Sequence, residues 1–155
     1  MIGLLMFGGL LVFQDGSAGE PTRCADDRIV ASPAICENEA SPGPYMVFFR
    51  WGGSVIDRDG ADILDKVVES ASGSGATYRL EITGFSDRSG PAAVNRRISR
   101  SRAALVRDEL VKRGIGRDRV ILAEPAGETD LLVPTADGVR EAQNRRVEIH
   151  FHRID

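Results

Sequence analysis

Residues 77–83, TYRLEIT, alternate polar and apolar side chains, so that Tyr78, Leu80 and Ile82 fall on one face. That period of two predicts a half-buried strand. The strand runs through the loop GFSDRSG to Pro91, whose missing N–H suits the first turn of a helix. The helical pattern continues to about Arg113, with Gly114 as a natural C′ residue and Val94, Ile98, Leu105 and Leu110 as its expected core stripe.

The flanks repeat the alternation of strand and helix. YMVFFRW (45–51) is β-branched and aromatic enough for a strand. DRDGADILDKVVESAS then carries Ile63, Leu64, Val67, Val68 and Ala71 at helical spacing, with Asp57 or Asp59 as the N-cap and GSG (73–75) as the stop. RVILAE (119–124) reads as a strand, TADGVREAQ as a helical turn, and RRVEIHF (145–151) as a closing strand with Val147, Ile149 and Phe151 facing inwards. A βαβαβ core with a further closing strand makes a two-layer α/β sandwich.

The 155 residues allow one domain with a short accessory segment, and 42% hydrophobic content is enough for a real core. A formal charge of −3 gives no global positive field, which argues against nucleic acid as a partner. Arg96, Arg97, Arg100, Arg102 and Arg107 cluster locally; such a run is mostly the solvated face of a helix, with room for one specific member to do chemistry.

The start of the chain is apolar and uncharged from Met1 to Phe13, with Gly16 and Ala18 placed like the small residues before a cleavage site. Residues 1–18 are therefore expected to be a secretory signal, with an N-terminal anchor as the alternative because no Lys or Arg precedes the apolar run. Residues 19–44, rich in Pro, Ser, Ala and acidic side chains, read as an extension or linker, and 45–155 as the domain. Cys24 and Cys36 are the only cysteines. In an oxidising compartment they would close a small loop, worth roughly 3 kcal/mol in the chain-entropy picture; two unpaired thiols are the alternative.

Gly84-Phe85-Ser86-Asp87 has the outline of a serine nucleophile on a tight turn. Arg88, however, stands where a nucleophile elbow needs a small residue, and His150 and His152, the only histidines, sit in the last strand. Those two histidines share a strand face but have no nearby acidic or thiol pattern that would complete a metal site. No metal, cofactor or enzymatic activity is expected.

Asp87 lies between a strand and a helix N-terminus, and Asn95 and Arg102 are two turns apart on one helix face. An anion, an amide and a guanidinium around one rim suit a small zwitterion: Asp87 for its ammonium, the fork of Arg102 for its carboxylate. The same spacing leaves open a direct Asp87–Arg102 ion pair with no ligand.

The segment ITGFSDRSGPAAVNRRISRSRAALVRDELVKRG resembles the central signature of the OmpA-like peptidoglycan-binding domain family. There a strand ends in Gly-His-Thr-Asp, and an Asn and Leu-Ser-x-x-Arg-Ala follow. YMVFFRW resembles the family's first strand, and GETDLLVPTADGVREAQNRRVEI its closing loop and strand. The resemblance implies a mixed sheet. It also implies non-catalytic binding of peptidoglycan through the diaminopimelate of the stem peptide. Site residues carried over are Asp87, Arg102 and Asn95, with Ser86 in place of the threonine and Asn144 and Arg145 from the closing motif. It further implies a periplasmic location near the outer membrane, with envelope proteins or a second copy as further partners. Phe85 replaces the family's histidine, and Arg50 stands at an acidic position of its first strand. A domain of this fold that has lost wall binding and serves protein–protein assembly is the alternative.

Overall fold

In a computed structural model, the described residues are 41–73 and 75–154 together with two short strands, Thr22–Arg23 (β1) and Ile29–Val30 (β2). β1 and β2 pair antiparallel within a unit comprising residues 1–40. The signal or anchor expected over 1–18, Cys24 and Cys36 lie outside the described residues.

The second unit begins at Ser41 and holds a four-stranded sheet and two helices. In chain order these are β3 (Tyr45–Phe48), α1 (Arg58–Gly73), β4 (Tyr78–Gly84), α2 (Ala92–Lys112), a 3-10 turn (Arg117–Arg119), β5 (Val120–Leu122) and β6 (Arg146–Arg153). The sheet order is β3-β6-β4-β5. The closing strand does not add to an edge: it enters the middle of the sheet, antiparallel to both neighbours. Its register sets Tyr45 opposite Ile149 on one side and Ile82 opposite Ile149 on the other. β4 and β5 are parallel, so the sheet is mixed.

The alternation in β4 appears as expected, with Tyr78, Leu80 and Ile82 buried, as are Val147, Ile149 and Phe151 of β6. Against them α1 packs Leu64, Val67 and Ala71. Each fully buried Leu or Val contributes about 1.5–3 kcal/mol, so this layer contact is the main source of stability. Asp57 is the N-cap of α1, its Oδ1 accepting the Gly60 N–H at 3.0 Å. Gly114 ends α2 at φ +101°, where a side chain would be strained. Its N–H reaches the Val111 carbonyl and the Ile115 N–H reaches Leu110, the paired bonds of a Schellman motif.

Three expectations are corrected. TADGVREAQ forms turns rather than a helical turn. β5 covers only Val120–Leu122 of the expected 119–124, and Arg119 is drawn into the 3-10 turn. The buried face of α2 is Asn95, Ser99, Arg102, Ala103, Val106 and Leu110; of the expected stripe only Leu110 is buried, and Val94 is 43% exposed. The face has helical spacing throughout, but its first half is polar.

Candidate functional site

That polar half faces the loop leaving β4, and the close approach there is set by Gly84. A Cβ on Gly84 would overlap the Ser99 carbonyl of α2. Beyond Gly84 the chain stays extended between two partners. The Phe85 N–H donates to the Arg146 carbonyl at 2.9 Å, and the Ser86 N–H to Gly127 at 2.6 Å. This fixes Ser86 and Asp87 over the start of α2.

Asp87 is 3% exposed and carries four hydrogen bonds. Its Oδ1 accepts from the Ser89 hydroxyl at 2.6 Å and the Ser89 N–H at 3.3 Å. Its Oδ2 accepts from Arg145 Nη1 at 2.8 Å and the Glu141 N–H at 3.3 Å. Burial works against its charge, but the Ser89 hydroxyl, the Arg145 guanidinium and the two backbone donors outweigh it. They hold the carboxyl below its ordinary range.

Arg102 is 1% exposed and has no carboxylate partner among the described residues. Its Nε donates to the Gly53 carbonyl at 2.9 Å and its Nη2 to the Arg50 carbonyl at 3.1 Å, while the guanidinium lies 5.1 Å from the centre of the Phe49 ring. Desolvation, and then the neighbouring charge of Arg145, push its pKa down to about 10, with Asp87 opposing. The direct Asp87–Arg102 pair left open by the spacing is not what forms. Asp87 is taken by Arg145, and Arg102 is left with one buried nitrogen, Nη1, that has no hydrogen-bond partner among the described residues.

Ser86, Asp87, Asn95, Arg102 and Arg145 line one cavity of about 110 Å3 with Trp51. Ser86 Oγ is buried there without a partner, like Arg102 Nη1. Asn95 Nδ2 donates to the Gly90 carbonyl at 3.1 Å and to Glu128 Oε2. Asn144 is not part of this lining. It is fully buried and bonds both ways with the Val133 backbone at 2.8 Å, pinning the closing loop so that the next residue, Arg145, reaches Asp87. Arg50 contributes its carbonyl to Arg102, but its side chain lines a neighbouring recess.

Sequence reasoning passed over two residues. Ser89 sits two positions after Asp87, the spacing at which an Asp side chain bonds the backbone ahead of it, and that was a usable signal. Trp51 Nε1 donates to Ser89 Oγ at 3.0 Å, and the Arg140 guanidinium lies 3.7 Å from the centre of its ring. Nothing local to the sequence places Trp51 at the cavity.

His150 and His152 lie beside Glu148 and Glu81, and neither lines the cavity. Among the described residues no cluster of three or more His, Cys, Asp or Glu is placed to hold a metal, and no helix is long and apolar enough to cross a membrane.

The sequence signature of the OmpA family matches residues 48–145. An outer membrane protein of Gluconacetobacter diazotrophicus is 36% identical over 114 residues, covering 70% of this chain and 30% of its own length. The peptidoglycan-binding protein ArfA of Mycobacterium bovis is 32% identical over 112 residues, covering 72% of this chain and 33% of its own length. The chain thus spans a minor part of these curated relatives. Among solved structures, the peptidoglycan-associated lipoprotein of Burkholderia pseudomallei superposes with a TM-score of 0.60 at 20% identity, over 76% of this chain and 98% of that one. The C-terminal domain of Helicobacter pylori MotB does so with a TM-score of 0.61 at 19% identity, over 72% and 84%. At such identity these two speak to the fold, whereas the family signature covers most of the second unit and its cavity-lining residues. The chain belongs to the OmpA family.

Proposed function

We propose that the domain binds peptidoglycan without changing it, gripping the zwitterionic end of diaminopimelate in the stem peptide. Asp87 takes the ammonium and Arg102 the carboxylate, with Ser86, Asn95 and Arg145 around them, and the protein tethers to the wall in the periplasm. One observation carries this reading. Arg102 is buried with Nη1 unpaired, and it lines a cavity of about 110 Å3 together with Ser86, whose hydroxyl is also unpaired among the described residues. A buried cation without a counter-charge is costly, and a ligand carboxylate supplies the missing charge and accepts both donors. The mycobacterial relative is named a peptidoglycan-binding protein, which supports the same ligand class.

Asp87 constrains how the ammonium enters. An ionised carboxylate offers about four lone-pair sites, and Asp87 already accepts from four donors. The ligand ammonium therefore replaces one of them, and the Ser89 hydroxyl is the neutral side chain among them. Since Ser89 Oγ also accepts from the Trp51 indole, its release reports at the only tryptophan in the chain.

The test is a titration of the full chain with a synthetic stem peptide containing diaminopimelate, beside the same peptide with lysine, which lacks the terminal carboxylate. Shifts at Ser86, Arg102 and the Trp51 Nε1–H with the first peptide, and at least tenfold weaker binding of the second, are expected. Equal affinity for both peptides would sink the carboxylate assignment. A flat titration on folded protein would favour a second reading, an assembly module on the same scaffold with envelope proteins or a second copy as partner. The saturation of Asp87 by the protein's own donors is the observation on that side.

A further inference from the structure

We propose that the solvent face of the first half of α2 docks on an anionic phospholipid surface through Arg96, Arg97 and Arg100. This face lies outside the Asp87 cavity, and its role does not depend on what that cavity binds.

The sequence gathers charge of one sign here. No Asp or Glu stands between Asp87 and Asp108, although the chain as a whole carries a formal charge of −3. The fold then sorts the cations of α2 into three groups. Arg102 turns inward to the cavity. In the second half of the helix each cation meets a carboxylate: Arg107 reaches Asp108 at 2.9 Å, Lys112 reaches Glu109 at 2.6 Å and Arg113 reaches Asp65 at 2.9 Å. In the first half Arg96 and Arg97 are exposed and have neither an ion pair nor a side-chain hydrogen bond among the described residues. Arg100 has only Glu124, which is 4.0 Å away with its side chain 97% exposed. A second carboxylate, Glu128, follows the Gly127 that approaches the Arg96 backbone, and Asn95 Nδ2 holds it.

The three free arginines surround an open recess of about 570 Å3, whose other lining residues are Ala92 and Ala93. Positions 93, 96, 97 and 100 recur at helical spacing, so they form one face. That face is turned away from the buried line of Asn95, Ser99 and Arg102. Two methyl side chains at its floor leave nothing to hold a broad surface away from the guanidinium groups, whose forks match phosphate oxygens.

The lining also discriminates between occupants. Protein interfaces concentrate their energy in buried aromatic anchors, and single-stranded nucleic acids stack on aromatic platforms. The recess offers neither, since its apolar residues are two alanines. A small free anion would gain little, because one exposed ion pair is worth a factor of about five at most. A bilayer surface presents phosphates to all three arginines together, and each basic residue near an anionic one contributes about fivefold. Because the face points away from the Asp87 cavity, the surface and a cavity ligand can be held at the same time.

The experiment measures sedimentation of the full chain with vesicles of phosphatidylcholine and with vesicles of an equal mixture of phosphatidylcholine and phosphatidylglycerol. The apolar run from Met1 to Phe13 meets both vesicles, so the readout is the ratio of the two affinities. A preference of about a hundredfold for the anionic vesicles is expected from three arginines. It should vanish on raising salt from about 0.1 M to about 1 M, which shortens the screening length from about 10 Å to about 3 Å. Replacing all three residues, Arg96→Gln with Arg97→Gln and Arg100→Gln, should bring the ratio close to one while the thermal unfolding midpoint stays that of wild type. Arg107→Gln with Lys112→Gln removes two paired cations of the same helix and should keep the preference. A wild-type ratio near one overturns the proposal, as does a preference that survives the triple variant or falls equally in the paired-cation variant. Displacement by inorganic phosphate at constant ionic strength would assign the face to the free anion and overturn the membrane surface as its partner.

Discussion

Arg145 Nη1 lies 2.8 Å from Asp87 Oδ2, with both side chains nearly out of solvent. Asp87 and Arg145 neutralise each other and contribute to the fold. Arg102, bonded to two carbonyls and lying against the Phe49 ring, remains a buried positive charge with no carboxylate partner among the described residues.

Arg145→Ala should therefore be a stability variant as well as a binding variant. It leaves the Asp87 carboxylate buried with its charged partner gone, a loss that costs about 3–5 kcal/mol when a buried pair is broken on one side. Urea unfolding should show the midpoint falling sharply with the m-value unchanged. A loss below about 1 kcal/mol would mean that Asp87 is satisfied by Ser89 and Glu141 alone.

Arg102→Met should behave in the opposite way. It removes a desolvated charge that no carboxylate compensates and keeps most of the buried length of the side chain, at the expense of the bonds to Arg50 and Gly53. Stability should change by no more than about 1 kcal/mol in either direction, while stem-peptide binding is lost. Such a separation is what a group kept for ligand rather than for folding produces. A loss of several kcal/mol would make Arg102 a structural residue.

The acid limb of the stability curve should belong largely to Asp87 and Glu148. Burial opposes the charge of Glu148, but His150 and Arg146 outweigh it and hold its carboxyl low, as happens at Asp87. A group with a depressed folded pKa binds more protons when unfolded, so stability rises with pH across the interval between the two values. The contribution is complete above the unfolded value, about 4, and disappears as pH falls through the lower folded value. Asp87→Asn should flatten the decline of stability as pH falls below about 4 relative to wild type, measured by urea midpoints at each pH. An unchanged slope would assign the acid limb elsewhere.

Gly84→Ala should be among the most damaging substitutions of one methyl group. The added carbon would meet the backbone of Ser99, which cannot rotate away as a flexible side chain does. Separating β4 from α2 should cost about 3 kcal/mol by overpacking. It should also displace Ser86 and Asp87 from Arg102, so that thermal stability and stem-peptide binding fall together. A variant with wild-type binding would show that the approach of α2 to β4 is not what builds the cavity.

The strands and helices were largely legible locally, because burial against one face leaves a period of two in β4 and β6 and a helical period in α1. α2 was misread for a specific reason. A search for apolar spacing selects Val94 and Ile98, whereas the buried line runs through Asn95, Ser99 and Arg102 before it turns apolar at Ala103, Val106 and Leu110. Asn95 and Arg102 occupy core positions there because they line a cavity, whereas Ser99 lies against Gly84, where β4 and α2 approach most closely.

By itself the sequence determined the α/β class, the order of the elements, the glycine stop of α2 and the placement of Asn95 and Arg102 on one helix face. Those follow from forces acting over a few residues. Three matters were decided only by the tertiary structure: the insertion of β6 between β3 and β4, the pairing of Asp87 with Arg145, and the arrival of Trp51 beside Ser89. Each joins residues far apart in the chain. Which cation reaches a buried carboxylate is settled by the loops and strands that carry it, not by its spacing along the sequence.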